Sequence, residues 1–530
     1  MRTVWLSVTF SPEIAPSKGI VSQPVLYDRS VHNNKLGATF MDHSTPIAII
    51  GAGLGGLAAA IQLKQTGYQN LILLEKGSKV GGTWAQNTYP GCSCDVPVAL
   101  YQYSFAPAIH WTNTYPSSAE IQAYCEQLVT SFGLEPLLSL NTEAISAIWD
   151  AAAQSWTLTT ADGQVRQVGA IISALGQLNR PAIPQIPGQS SFLGASMHSA
   201  AWNHDVDLKG KRVGVIGSAA SAVQLIPEVA KVAGSLVMFQ RSANYIGPRG
   251  DREIPATEIA LLLSNPQAAM DLGARNRAMI FDTADTYFWQ TFSWTPEGRA
   301  AYADIAKRHL EKQITDPELR AKLTPDYAVG CKRFLFTDTF YPALTQDHVT
   351  LETARIEGFD ATGVKVASGT HYDLDVVIYA TGFETTGWHW SLDVVGQNAT
   401  HLADQWAEGP EAYLGITTKG FPNFFMLYGP HTNLGHNSIT YMLERQIEYV
   451  QAMLAGLIEQ KVKSAAVKPE AQARFIADLQ NGLGHTVWAD PSCNSWYKND
   501  KGHITQNWGG NCKSYAEAVS SVVWADYEVV

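Results

Sequence analysis

The sequence predicts an α/β fold of two Rossmann-like dinucleotide-binding domains, with a helical insertion in the second. Three observations predict it. A glycine-rich loop follows a short apolar run ending at Ile50, and a second loop follows another run ending at Ile216. Between them lies the segment from Phe192 to Asn203, which includes His198. That order suits a chain in which one loop holds a flavin, the other a nicotinamide, and the His198 segment links the two.

The first loop is the stronger. Ile47, Ala48, Ile49 and Ile50 form an apolar run suited to a buried parallel strand. Gly51, Ala52, Gly53, Leu54, Gly55 and Gly56 follow, and then an Ala- and Leu-rich stretch that favours helix. Gly51 permits the tight turn, Gly53 lets the backbone approach a pyrophosphate, and Gly56 lets helix and strand pack closely. The helix N-terminus supplies unpaired N–H groups and a positive dipole end for phosphates. A second apolar run, Leu71 to Leu74, ends at Glu75, placed to accept hydrogen bonds from a ribose.

In the second loop, Arg212 to Ile216 gives the strand and Gly217, Ser218, Ala219, Ala220, Ser221 and Ala222 give the turn. Ala219 stands at the middle glycine position, where a methyl group crowds the pyrophosphate without excluding it. The next strand, Leu236 to Phe239, leads to Arg241. An Arg where an acid would bind the ribose 2′-hydroxyl suits a 2′-phosphate, so NADPH is expected rather than NADH. The competing reading is a plain βαβ unit with a surface Arg.

Composition bounds the rest. A chain of 530 residues exceeds one ordinary domain. With 46% hydrophobic and 16% charged residues it can bury an ample core. The net charge of −11 argues against nucleic acid as a partner. No apolar run reaches the length of a membrane span. The six cysteines, Cys92, Cys94, Cys125, Cys331, Cys493 and Cys512, form no Cys-x-x-Cys pair, so neither a metal centre nor a disulfide framework is expected. Reduced thiols in a cytoplasmic enzyme are the simplest reading. Oligomeric state is not legible.

Punctuation suggests the modules. Residues 1–44 read as a disordered extension, 45–185 as the first part of the FAD-binding domain and 186–250 as the first part of the NADP-binding domain. Residues 251–330 read as the helical insertion, 331–379 as the second part of the NADP-binding domain and 380–530 as the second part of the FAD-binding domain. Asp162 and Gly163 mark a hairpin turn, and Pro181, Pro184 and Pro187 a stiff linker.

Phe192, Gly194, His198 and Trp202, at their spacing, resemble the signature of Baeyer–Villiger monooxygenases, two-dinucleotide-domain flavoproteins. Asn203 departs mildly from the Pro or Asp usual after the Trp. A second signature matches throughout: Gly81, Gly82, Thr83 and Trp84, then Tyr89, Pro90, Gly91 and Asp95. The resemblance covers Pro46 to Trp508. It implies FAD and NADPH as cofactors, and a ketone and O2 as substrates. It makes Asp95 the acid near the flavin, Arg333 the active-site arginine, and Arg241 and Lys332 the cations that grip the 2′-phosphate. It places Trp496 in a C-terminal segment that closes over NADP, and Gly429 to Asn437 at a late strand-to-helix turn near the flavin. Thr88 and Val98 stand where many relatives carry Arg and Ser.

The implied reaction inserts one oxygen atom of O2 next to a ketone carbonyl, giving an ester or lactone through a C4a-peroxyflavin. A permanently cationic Arg333 would stabilise the peroxyanion and the later oxyanion, and Asp95 would fix its position. The plainer readings are a salt-bridged surface cation for Arg333 and a helix cap for Asp95. For His198, a linker role across the two domains is preferred to chemistry. Trp202 is expected to pack within the linker. Two rival functions remain open: a sulfur or nitrogen oxygenase, and a flavin-binding protein without oxygenase activity.

Overall fold

The computed structural model describes residues 40–108, 111–293, 295–385, 391–499 and 501–530. The expected N-terminal extension lies almost wholly outside the described residues. Two five-stranded parallel sheets organise the chain. In the first, β1 (Ile47–Ile50) runs into α1 (Leu54–Gln65) and returns as β2 (Leu71–Leu74) beside β1 in parallel register. Ala170–Ser173 pairs on the other side of β1, with Phe424–Met426 and Leu138–Ser139 at the edges. All four residues of β1 are buried, as an apolar run between two covered faces requires.

The second sheet repeats the plan. Its five strands are β3 (Ala195–His198), β4 (Arg212–Ile216), β5 (Ser235–Phe239), β6 (Val349–Glu352) and β7 (Val376–Tyr379). They lie in the order β6, β5, β4, β7, β3, all parallel. Helix α2 (Ala220–Ala230) joins β4 to β5. The late strand 376–379 therefore sits inside this sheet. Four helices between Ala256 and Lys322 form the block expected from composition. The stretch from Ala144 to Val168 is a three-stranded meander, with Asp162 and Gly163 in its second turn.

The chain crosses between the sheets twice, and the crossings lie side by side. Ala182 donates its N–H to the Gly382 carbonyl at 2.9 Å, and Glu384 donates to the Arg180 carbonyl at 2.9 Å. Pro181 thus faces Phe383 across an antiparallel bridge. The proline-rich linker is half of this ribbon.

The cysteines correct the sequence reading. Cys331 and Cys493, 162 residues apart, form a buried disulfide. Cys92, Cys94, Cys125 and Cys512 are free and buried.

Glycine requirements differ between the two loops. Gly51 has φ +101°, and a Cβ there would lie 2.6 Å from the Ala174 carbonyl oxygen. A Cβ on Gly56 would lie 1.8 Å from the Gly51 carbonyl oxygen, which is backbone and cannot yield. Gly56→Ala is therefore expected to destabilise the chain by at least about 1–3 kcal/mol, the cost of overpacking. Gly482→Ala, at a helical site with nothing within 4 Å, should be neutral or stabilising. Urea unfolding of both variants checks the contrast; equal midpoints would contradict it.

Candidate functional site

Both nucleotide helices begin without a side-chain cap. Gly53 precedes α1 at φ −75°, ψ −171°, and Ala219 precedes α2 at φ −88°, ψ −158°, and neither terminus has a side chain accepting its first N–H groups. The helix Ser118–Ser131, by contrast, carries a complete capping box from Ser117 and Glu120. Two uncapped N-termini behind glycine turns are ready anion sites. Gly53 and Ala219 share an extended conformation at negative φ, so the methyl group of Ala219 causes no backbone strain. Gly217 keeps φ +123°, with a Cβ position 2.3 Å from the Ala380 carbonyl oxygen. Ala222 is fully buried where the first loop has Gly56. A Cβ on Gly55 would meet only the side chains of Leu443 and Leu427, at 3.4 Å or more. Ser218 Oγ donates to the Ser242 carbonyl at 2.9 Å, anchoring the second loop to the residue after Arg241.

Glu75 closes the first loop. Its Oε2 accepts the Ala52 N–H at 2.8 Å, and its Oε1 accepts the Gly77 N–H at 2.7 Å. These bonds fix the carboxylate at the end of β2 and leave lone pairs for hydroxyl donors. Gly82, at φ +54°, lies against Gly53 and begins the short helix Thr83–Gln86. Trp84 donates Nε1–H to the Tyr101 hydroxyl at 3.1 Å.

At the second sheet, Lys332 donates to Ser242 Oγ at 2.7 Å and sits 4.5 Å from the Tyr327 ring centroid. Burial, and then the neighbouring Arg241 cation, hold the Lys332 pKa below its ordinary value. Two cations packed together with only Asp326 as a weak offset leave an excess of positive charge at the end of β5. That is the donor set a phosphate monoester would complete.

The segment after the first loop reaches across to α2. Tyr89 donates its hydroxyl to Gln224 Oε1 at 2.7 Å, and Gln224 Nε2 donates to the Ser93 carbonyl at 2.8 Å. Gly91, at φ +80°, has its Cβ position 2.5 Å from the Gln224 carbonyl oxygen, so no side chain fits there. The Arg249 guanidinium donates to Ser93 Oγ and the Cys94 carbonyl, each at 3.0 Å. The segment ends at Asp95, whose carboxylate accepts from the Arg333 guanidinium. The Arg333 side chain is 41% exposed and that of Asp95 18%. The Asp95 charge holds the Arg333 pKa above its ordinary value, outweighing the opposite effect of burial. Arg333 is thus cationic at any working pH.

Tyr497 completes the surroundings. It is buried, and burial pushes its pKa up to about 12 against the lowering effect of the Arg333 cation. Trp496 beside it is 39% exposed, with ring centroids 4.6 Å apart. Trp488 Nε1–H donates to the Gly330 carbonyl at 3.1 Å. Gln224, Arg249 and Tyr497 were not singled out in the sequence. Only Tyr497 had a signal, as the neighbour of Trp496.

The linker residues take structural places. A Cβ on Gly194 would meet the Phe192 ring at 2.4 Å and the Asp375 carbonyl oxygen at 2.5 Å. His198 ends β3, accepts the Ala200 N–H at Nδ1 at 3.0 Å, and packs edge-on to Phe383 at 6.0 Å. It therefore abuts the return crossing at Gly382 and Phe383 and makes no contact with Arg333 or Asp95. Trp202 packs on the second core. Asn203 Oδ1 accepts the Asp205 N–H at 3.0 Å, a turn that Asp would also make. Thr88 pairs with His204 at 2.9 Å, and Val98 is buried.

Paired nucleotide loops and a guanidinium fixed by Asp95 define the class: an oxidoreductase that brings two dinucleotides together. A profile of the pyridine nucleotide-disulphide oxidoreductase family matches residues 48–252. A Baeyer–Villiger monooxygenase of Pseudomonas aeruginosa is 40% identical over 451 residues, 85% of this chain and 85% of the relative. One of Streptomyces coelicolor is 37% identical over 485 residues, 91% and 92% respectively. A steroid monooxygenase solved bound to NADP superposes with TM-score 0.81 at 30% identity, covering 92% of this chain and 99% of that one. The chain belongs to the Baeyer–Villiger monooxygenase family.

Three buried histidines make acid stability a test of the packing around them. Burial lowers the pKa of His198, His431 and His436, that of His431 to about 4. The unfolded chain binds these protons near pH 6.5, and the folded chain refuses them until lower pH. Stability is therefore intact above about 6.5 and falls as pH drops from there toward 4, by up to about 1.4 kcal/mol per pH unit per group. Melting temperature measured across that window should fall steeply, and less steeply in His431→Gln; parallel curves would refute the assignment to His431.

Proposed function

We infer that the chain is an FAD- and NADPH-dependent Baeyer–Villiger monooxygenase that converts a ketone and O2 to an ester or lactone. What supports this most is the Arg333–Asp95 ion pair, in a chain whose two parallel sheets each lead through a glycine turn into an uncapped helix N-terminus. No helix among the described residues is long and apolar enough to cross a membrane, and we place the enzyme in the cytoplasm with a small-molecule substrate.

The residues fit both cofactors. Gly51, Gly53 and Gly56 with the α1 N-terminus would hold the FAD pyrophosphate, Glu75 its ribose, and the turn at Thr83 and Trp84 its inner face. Gly217, Ser218, Ala219, Ser221 and Ala222 would hold the NADPH pyrophosphate, and Arg241 and Lys332 its 2′-phosphate. Trp496 would cover the nicotinamide half. When bound, the flavin accepts hydride from NADPH and passes electrons to O2. The chain supplies orientation and charge. Arg333, fixed by Asp95, presents a permanent cation to oxygen-centred negative charge. Partial burial strengthens that interaction relative to water. Asp95 itself faces the guanidinium and is not free to take a substrate proton. His198 would act on the crossing ribbon, as a positioning residue.

Arg333→Ala should retain flavin but lose ester formation by roughly a hundred- to a thousandfold, the usual cost of removing one such donor, about 2.7–4 kcal/mol. Gas chromatography of a ketone panel with a sulfide control checks it; wild-type ester yield from that variant, or sulfoxide with no ester from the native enzyme, would overturn the reading. Removing Arg241 or Lys332 should raise KM for NADPH about ten- to a hundredfold while leaving NADH nearly unaffected, since each charge-assisted bond contributes about 1.5–3 kcal/mol. Steady-state kinetics with both nucleotides decides it.

A further inference from the structure

We propose that Cys331 and Cys493 are a peroxide-responsive thiol pair whose disulfide fastens the loop carrying Lys332 and Arg333 to the C-terminal segment. The proposal rests on the monooxygenase reading, because that reaction supplies the oxidant.

The placement carries the argument. The loop at 330–333 is tied to residues 488–493 at two successive points. Trp488 holds the Gly330 carbonyl, and the disulfide holds residue 331. Only the second tie can be made and broken covalently. Both its residues are buried, and none of the other four cysteines is paired.

Whenever O2 is reduced and no ketone captures the oxygen, NADPH, a proton and O2 give NADP+ and hydrogen peroxide. One thiolate then attacks the peroxide O–O bond, forming a sulfenic acid and releasing hydroxide, which takes a proton to become water. The second thiol displaces the sulfenic oxygen as another water and closes the S–S bond. In sum, two thiols and one hydrogen peroxide give one disulfide and two waters, the two sulfurs losing the two electrons that the peroxide gains. A dithiol reductant reverses the bond by exchange. The closed pair keeps the C-terminal segment against Arg333, so water enters less and less oxygen is lost as peroxide. The leak thus produces the bond that suppresses the leak.

The test uses FAD-loaded enzyme treated with tris(2-carboxyethyl)phosphine and desalted without air. It should show six free thiols. NADPH and air without ketone should reduce the count to four, with Cys331 and Cys493 joined in the peptide map, and catalase should prevent the change. With ketone present, the disulfide form should release several-fold less peroxide per NADPH than the dithiol form. Cys331→Ser and Cys493→Ser should each behave as the dithiol form and ignore the reductant. A count that stays at six, a disulfide that resists the phosphine in the folded enzyme, or equal peroxide yields in the two forms would each overturn the proposal. Reagent hydrogen peroxide added without NADPH tests the thiol pair by itself, while ester assayed on the same samples reports whether the monooxygenase reading has failed instead.

Discussion

The ion pair between Arg333 and Asp95 is the contact on which the rest of the structure depends. Its partners come from opposite halves of the chain. Asp95 ends the segment that leaves the first glycine loop, and Arg333 follows the helical block inserted after the second. Neither half can place the charge alone. The Tyr89 to Cys94 segment is therefore clamped by Gln224 of α2 and by Arg249 before it reaches Asp95. A guanidinium held this way needs little reorganisation when negative charge appears beside it, which is the property that electrostatic catalysis requires.

Much of the fold was legible because glycine and apolar runs act locally. A strand, a tight turn and a helix start within a dozen residues, so the two parallel sheets could be read from two loops. Ala219 is instructive. It looked like a defect, yet its backbone has the same extended conformation as Gly53, and only closeness to a ligand, not strain, separates the two. The helical block was legible from composition for the same local reason.

Contacts made at long range were not legible. Gln224 lies on an ordinary amphipathic helix, and nothing in its spacing reveals that it grips Tyr89 and Ser93. Cys331 and Cys493 carry no pairing signal across 162 residues, and the expectation of reduced thiols failed there. His198 stood out by spacing, but its place beside Gly382 and Phe383 depends on how the return crossing packs, which no local pattern encodes. The resemblance pointed to Arg333 and Asp95, while the elements that orient them emerged only in three dimensions.

The paired crossings have a mechanical consequence. Two strands joined by hydrogen bonds through Pro181 and Phe383 resist sliding past each other but still permit torsion. Relative motion of the nucleotide halves is thereby steered toward swivelling about one ribbon, with His198 at its pivot. The covalent tie from residue 331 to 493 then works as a second tether that limits how far the swivel can open.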